Sequence, residues 1–120
     1  MRVFLICLAI AVAAFLVHVE RQRGDVIAYV SNENPVMFDG ETAAIKAQYR
    51  DTLPAGHVVF LGDSLIRLWH TLETDMAPIP VLNHGFGGSK VRDSTFYIDR
   101  LVTPFEPKAL VLSFGTNDMH

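Results

Sequence analysis

The fold is decided by the stretch HVVFLGDS, residues 57–64 in a chain of 120. Residues 57–61 are mainly β-branched, aromatic and aliphatic, which predicts a short buried strand. The polar turn Gly62-Asp63-Ser64 ends that strand. After the turn, apolar residues recur at the spacing of one helix face, which predicts a helix packed on the sheet: Leu65, Leu68, Trp69 and Leu72.

The same order of strand, turn and helix recurs downstream. Residues 80–83 predict a second strand, residues 84–88 a glycine-rich turn, and Ser89 the N-cap of a second helix. The apolar positions of that helix are Val91, Ile98, Leu101 and Val102, with Tyr97 beside them. Residues 108–114 predict a third strand, and a polar turn follows over residues 115–118. Repeated units of this kind are typical of right-handed βαβ crossovers, so we predict an α/β fold with a parallel sheet.

The three polar turns of such a sheet emerge at its carboxyl edge, where open α/β folds bind ligands. Ser64, Gly88 and Asn117 are therefore predicted to lie close together. Ser64 suits a nucleophile, because the positive end of a helix dipole favours its alkoxide character. The backbone N–H groups of Ser64 and Gly88 and the side-chain amide of Asn117 would supply three donors around one point. Such donors stabilise the oxyanion of acyl transfer.

In order along residues 58–118, the segments Gly62-Asp63-Ser64-Leu65, Gly88 and Gly115-Thr116-Asn117-Asp118 resemble the first three conserved blocks of the GDSL, or SGNH, esterase and lipase family. The resemblance implies a flavodoxin-like, three-layer α/β/α hydrolase that acts on a small ester or an acyl-lipid and needs no cofactor. It also implies that Ser64 is the nucleophile, and that the oxyanion hole consists of the Ser64 N–H, the Gly88 N–H and the Asn117 side chain. The remaining residues of these blocks would support the turns: Gly62, Asp63, Gly115 and Asp118.

The same residues also allow simpler interpretations. Ser64 could be only a helix N-cap, and Asn117 could be only a turn residue. Asp118 and His120 lie two positions apart, but without a third ligand they do not make a metal site. The glycine turn does not match a nucleotide-binding motif, because Lys90 stands where the last glycine of that motif belongs.

The chain departs from the family at its general base. The family's catalytic Asp-x-x-His is absent, because the residues three positions before the five histidines are Phe15, Pro54, Arg67, Val81 and Asn117. A serine without a base is a weak nucleophile. We therefore expect the 120 residues to be nearly inactive by themselves and to be the N-terminal part of a hydrolase whose sheet is incomplete at the C-terminus. The alternative is a membrane-tethered, non-catalytic ligand-binding remnant or pseudoenzyme.

The predicted organisation has three parts: an apolar segment over residues 1–19, a linker over 20–38 and the N-terminal part of the hydrolase domain over 39–120. Residues 3–19 carry no charge and are just long enough to cross a bilayer. They fit an uncleaved anchor, a cleaved signal peptide or a buried core helix. The first two alternatives predict a protein that is anchored in a membrane and faces the periplasm or exterior, or that is secreted.

Composition excludes several other functions. The net charge of −3 offers no basic surface for nucleic acid. The single cysteine, Cys7, lies in the apolar segment, so the remainder of the chain cannot form an internal disulfide or a cysteine-based metal site. With 50% hydrophobic and 19% charged residues, the chain has the composition of a folded rather than a disordered protein.

Overall fold

Strand β1 (Val58–Gly62) is the centre of a three-stranded parallel sheet in the computed structural model of the protein, which describes residues 11–24 and 34–119. Its neighbours are β2 (Val81–Gly85) and β3 (Ala109–Ser113), in the order β2-β1-β3. The register aligns Gly62 with Gly85 and with Ser113, so the three strands end level with one another. The prediction of an α/β fold with a parallel sheet is confirmed.

Most helices are short. In chain order, those of the described residues are α1 (residues 11–24), α2 (Asp39–Ala47), α3 (Ser64–Arg67), α4 (Leu72–Asp75), α5 (Val91–Phe96) and α6 (Ile98–Leu101), with 3₁₀ helices at Pro35–Phe38 and Thr103–Phe105. The crossover from β1 to β2 contains α3 and α4, and the crossover from β2 to β3 contains α5 and α6. The two crossovers run in opposite directions across the sheet. Because both are expected to be right-handed, they cover opposite faces.

Both faces of β1 are buried, because successive side chains of a strand point to opposite sides. Val59 and Leu61 lie in the larger hydrophobic core, together with Phe38, Ile45, Leu82, Phe86, Tyr97, Leu101, Val102 and Phe105. Val58 and Phe60 lie in the smaller one, together with Ile66, Leu72 and Val81. The central strand is thus fixed from both sides, which fixes where its carboxyl end lies.

Strand β3 differs from β1 in its burial. Its residues from Ala109 to Leu112 are all exposed, with Leu112 at 59%. The near-continuous apolar run of β3 is therefore at the surface of the described residues rather than in a core. Such an edge can pair with another strand or promote aggregation.

The predicted apolar stripe after Ser64 is wrong in most of its members. Leu65 and Leu68 are exposed, and the buried residue of α3 is Ile66, at 4% exposure. The stripe assumed one continuous helix as far as Leu72, whereas α3 is a single turn.

The end of α3 is stabilised from β2. Asn83 donates its side-chain amide to the carbonyl of Ile66 at 2.7 Å and to that of Trp69 at 3.3 Å. Carbonyls at a helix end need such partners. This long-range contact has no counterpart in the local hydrophobic spacing. The second predicted helix is also divided, at Tyr97, where α5 ends and α6 begins.

The chain divides into two compact units, Met1–Glu33 and Asn34–His120. In the first, Glu20 and Arg23 of α1 form an ion pair at 3.7 Å. Residues 1–10 of the predicted apolar segment and residues 25–33 of the predicted linker lie outside the described residues. Within the two described ranges, no helix is both long enough and apolar enough to span a membrane.

Gly85 allows β2 to approach α3 closely. A Cβ atom at Gly85 would lie 2.2 Å from the backbone nitrogen of Arg67. We expect Gly85→Ala to lower the free energy of unfolding in urea titrations by about 1–3 kcal/mol, because side-chain movement cannot relieve a clash with backbone. Gly40→Ala in α2 is the matched control, since nothing lies within 4 Å of its Cβ position. Helix propensity should make that variant more stable by up to about 1 kcal/mol. Equal effects at the two sites would contradict this account.

His84 is fully buried in β2. Its Nδ1 donates to the carbonyl of Leu101 at 2.6 Å, and its Nε2 has no hydrogen-bond partner among the described residues. The ring packs against those of Phe105 and Tyr49, with centroids 4.6 and 5.5 Å away. Burial lowers the pKa of His84, although the bond to Leu101 opposes this effect. The neutral imidazole is therefore favoured in the folded state.

This burial predicts a pH-dependent stability. Because the folded pKa of His84 lies below its ordinary value of about 6.5, the unfolded chain binds the additional proton as the pH falls through that value. The free energy of unfolding should therefore decrease below about pH 6.5, as measured by chemical denaturation at a series of pH values. His84→Gln should remove this component of the slope, whereas His70→Gln, at an exposed position, should retain it. Identical slopes for the wild type and His84→Gln would exclude the explanation.

Candidate active site

The turn after β1 is shaped by Asp63, which is the N-cap of α3. Its Oδ1 accepts the N–H of Leu65 at 2.9 Å, and its side chain is buried. Ser64 is the first residue of the helix, and its partly exposed hydroxyl forms no hydrogen bond with the described residues. Ser64 is therefore not the N-cap that the simpler interpretation required. Because α3 is one turn long, few peptide dipoles align, and the helix dipole acts on Ser64 less than the sequence suggested.

The turn after β2 is bonded to the end of β1. Phe86 donates its N–H to the carbonyl of Gly62 at 3.0 Å. The hydroxyl of Ser89 donates to the carbonyls of Phe86 at 2.8 Å and Gly62 at 3.4 Å. Ser89 is thus buried, and its hydroxyl bonds within the turn and to the end of β1. The prediction that Ser89 caps the next helix is wrong, because Lys90 is the N-cap of α5. Gly88 has a φ of 77°, a conformation that favours glycine.

The turn after β3, which Gly115 begins, is bonded to the glycine turn by two side chains. Asn117 donates its Nδ2 to the carbonyl of Ser89 at 3.0 Å. Asp118 accepts the N–H of Val91 on its Oδ1, also at 3.0 Å. The first residue of α5 is thereby held by the turn that follows β3. The side chains of Asn117 and Asp118 thus join the turn after β3 to the glycine turn and to the start of α5. The bonded residues lie 28 and 27 positions apart in the sequence, respectively.

A third connection closes the arrangement, since Asp63 donates its N–H to the carbonyl of Ser113 at 3.3 Å. The three predicted turns thus lie at one edge of the sheet and bond to one another. The turns lie close together because the three parallel strands end level with one another. The order of strands and turns in the sequence had indicated this arrangement.

Sequence reasoning missed the contribution of α2. Glu41 lies in the first turn of α2, and its Oε1 accepts the N–H of Gly87 at 3.2 Å. The same oxygen lies 3.5 Å from Nη1 of Arg67. No spacing rule connects positions 41, 67 and 87, so nothing in the sequence pattern indicated this contact.

The histidines of the described residues make their hydrogen bonds elsewhere than at Ser64. His84 is fully buried in the core. His57 has its Nδ1 3.2 Å from the carbonyl of Ala55. Among residues 11–24 and 34–119, no histidine ring is hydrogen-bonded to Ser64. His120 lies outside the described residues.

The described residues around the serine form neither a metal-binding cluster nor the wall of the neighbouring cavity. In the described ranges, no three side chains of the His, Cys, Asp and Glu types cluster so that they could hold a metal ion. An open cavity of about 410 Å³ lies between α2, α3 and the end of β2, with Glu41, Arg67 and Gly85 in its wall. Ser64 itself stands at the exposed edge outside that cavity.

Comparison of the chain with protein-family models, with curated protein sequences and with solved structures finds no significant match.

The capping assignment can be tested by stability. Asp63→Ala should lower the free energy of unfolding by about 0.5–2 kcal/mol, because the Leu65 N–H loses its acceptor. Asp63→Asn should retain most of the stability, since asparagine also caps. Ser64→Ala should leave the unfolding midpoint in urea nearly unchanged. A loss of stability in Ser64→Ala as large as that in Asp63→Ala would show that Ser64 has the structural role instead.

Proposed function

We propose that this chain carries the nucleophile and the oxyanion hole of a serine ester hydrolase of the GDSL, or SGNH, type. The observation that carries the proposal is the bond from Asn117 to the carbonyl of Ser89, which joins the Asn117 turn to the Gly88 turn. The latter turn is in turn bonded to Gly62 at the end of β1. Three separate sequence blocks thus contribute to one hydrogen-bonded edge, with Ser64 next to it in the chain.

The strand order supports the same proposal. The order β2-β1-β3 corresponds to the first three strands of the flavodoxin-like order 2-1-3-4-5, in which ligands bind at the carboxyl ends between the first and third strands. Ser64 follows β1 and Asn117 follows β3. We therefore propose a three-layer α/β/α fold for the complete domain, with the reacting ester bound between these two strand ends.

In the proposed reaction, Oγ of Ser64 attacks the carbonyl carbon of a small ester or acyl-lipid. The serine proton passes through a general base to the leaving alcohol as the bond between the carbonyl carbon and the alcohol oxygen breaks. Water then attacks the acyl-enzyme, and the acid and the free serine are released. In both steps the carbonyl oxygen becomes negatively charged, so it needs hydrogen-bond donors at that moment.

Three N–H groups can act as those donors. The Ser64 N–H is the first in its helix and has no acceptor within it. The Gly88 N–H donates to no described residue. The Asn117 amide has two hydrogens, and the bond to Ser89 uses one of them. That bond also fixes which way the amide points, so the second hydrogen is held in one orientation.

No general base is bonded to Ser64 among the described residues. We propose that a segment outside them supplies it, and that the 120 residues by themselves are nearly inactive. A specific observation favours a second candidate, a non-catalytic ligand-binding protein, because no described histidine is bonded to Ser64. The apolar residues 3–19 support a location at or beyond a membrane for either candidate.

The hydrolase proposal predicts a distinct pattern of variants in the full-length protein. Ser64→Ala should abolish both labelling by a fluorophosphonate probe and hydrolysis of p-nitrophenyl acetate. Asn117→Ala should lower kcat about 10²–10³-fold, the usual cost of one oxyanion donor. Thr116→Ala is the matched control in the same turn, and it should retain activity. If the wild type neither reacts with the probe nor turns over the ester, the hydrolase proposal is wrong and the ligand-binding alternative is favoured.

A further inference from the structure

The turn that carries Gly88 is held from two sides. On one side, Ser89 is bonded to Gly62 and Asn117 as described above. On the other side, Glu41 accepts the N–H of Gly87, across 46 positions of sequence. The peptide group that bears the Gly88 N–H lies between these two attachments.

Arg67 contacts both Glu41 and Gly87. Its Nη1 lies 3.5 Å from Oε1 of Glu41, and its guanidinium covers Gly87 so closely that a Cβ there would lie 2.8 Å from Cζ. Arg67 belongs to α3, three positions after Ser64. The arginine also offsets the negative charge of Glu41, which would otherwise oppose charge development on a nearby oxyanion.

Glu41 is presented by a helix that is itself fixed. Arg100 of α6 donates to Oδ1 of Asp39 at 2.7 Å and to Oγ1 of Thr42 at 2.9 Å. Ile45, one turn after Glu41, is buried in the larger core. Because α2 is attached at both of these points, the carboxylate of Glu41 has a defined position relative to the glycine turn.

We infer that Glu41 is a positioning residue for the oxyanion hole. Two consecutive glycines can adopt many backbone conformations, so the turn needs outside contacts to hold one of them. Glu41 holds the peptide that bears the Gly87 N–H, and the bonds of Ser89 hold the far side of the turn. With both sides held, the intervening peptide, which bears the Gly88 N–H, has fewer orientations available. The catalytic part of this inference rests on the proposed ester hydrolysis, whereas its effect on the turn does not.

The test compares Glu41→Ala, Glu41→Gln and the control Glu73→Ala in the full-length protein. Glu73 lies on α4 and lines a cavity with His57 and Pro80, at the opposite end of the strands. The backbone amide signals of Gly87 and Gly88 in a ¹⁵N-labelled sample report the turn directly. Steady-state hydrolysis of p-nitrophenyl acetate reports the catalytic consequence.

We expect Glu41→Ala to shift both glycine amide signals and to lower kcat about tenfold with little change in KM, since small displacements of a supporting group have costs of this order. Glu41→Gln retains an acceptor oxygen for Gly87, so it should restore both the signals and most of the turnover. Glu73→Ala should behave as the wild type.

The outcomes separate the two proposals. Unchanged glycine signals in Glu41→Ala would overturn the positioning role of Glu41, whether or not the protein is an esterase. Shifted signals with unchanged kcat would also overturn it as a catalytic device. An inactive wild type whose glycine signals still respond to Glu41→Ala and recover in Glu41→Gln would refute the hydrolase proposal and leave the structural role of Glu41 supported.

Discussion

The carbonyl of Gly62 is the point on which the carboxyl edge of the sheet depends. It accepts the Phe86 N–H at 3.0 Å and receives the Ser89 hydroxyl at 3.4 Å. The next residue, Asp63, donates its N–H to Ser113 at 3.3 Å. Gly62 ends the central strand, which is buried on both faces, so the turn after β2 and the end of β3 are both attached to a strand that packing holds from both sides. The remaining contacts of the candidate site extend from this attachment.

Hydrogen bonds between turns, rather than long helices, organise this edge. α3 has four residues and α5 has six, so neither provides a large dipole. The edge is instead held by side chains that form hydrogen bonds with residues distant in the sequence. Asn83 bonds to α3, Asp118 to α5 and Asn117 to the glycine turn. An amide or a carboxylate in such a position fixes one geometry, whereas a solvated turn would sample several. For acyl transfer, a fixed set of donors is what stabilises charge without reorganisation.

The comparison of sequence with structure has a consistent physical pattern. The three strands and the positions of the polar turns could be predicted, because buried parallel strands require continuous apolar runs and end at polar or glycine residues. The predicted apolar stripe from Leu65 to Leu72 was wrong, because helical periodicity assumes one continuous helix. It gives no indication that the carbonyls of Ile66 and Trp69 accept hydrogen bonds from Asn83 of another strand. The role of Ser89 was missed for a similar reason, since serine bonds a local carbonyl as readily as it caps a helix.

By itself, the sequence determined the class of the fold, the order of its units and the chemical groups available at the strand ends, Ser64, Gly88 and Asn117 among them. These properties depend on local composition and on the period of the hydrophobic pattern, and both follow directly from the order of the residues. Only the tertiary structure decided that Asp63 rather than Ser64 caps α3, that His84 is buried in the core, and that Glu41 and Arg67 meet at Gly87. The burial of His84 and the meeting at Gly87 depend on which distant groups pack together in three dimensions, and spacing along the chain does not record this. The cap is a local choice between two adjacent polar residues, either of which can accept a helix N–H.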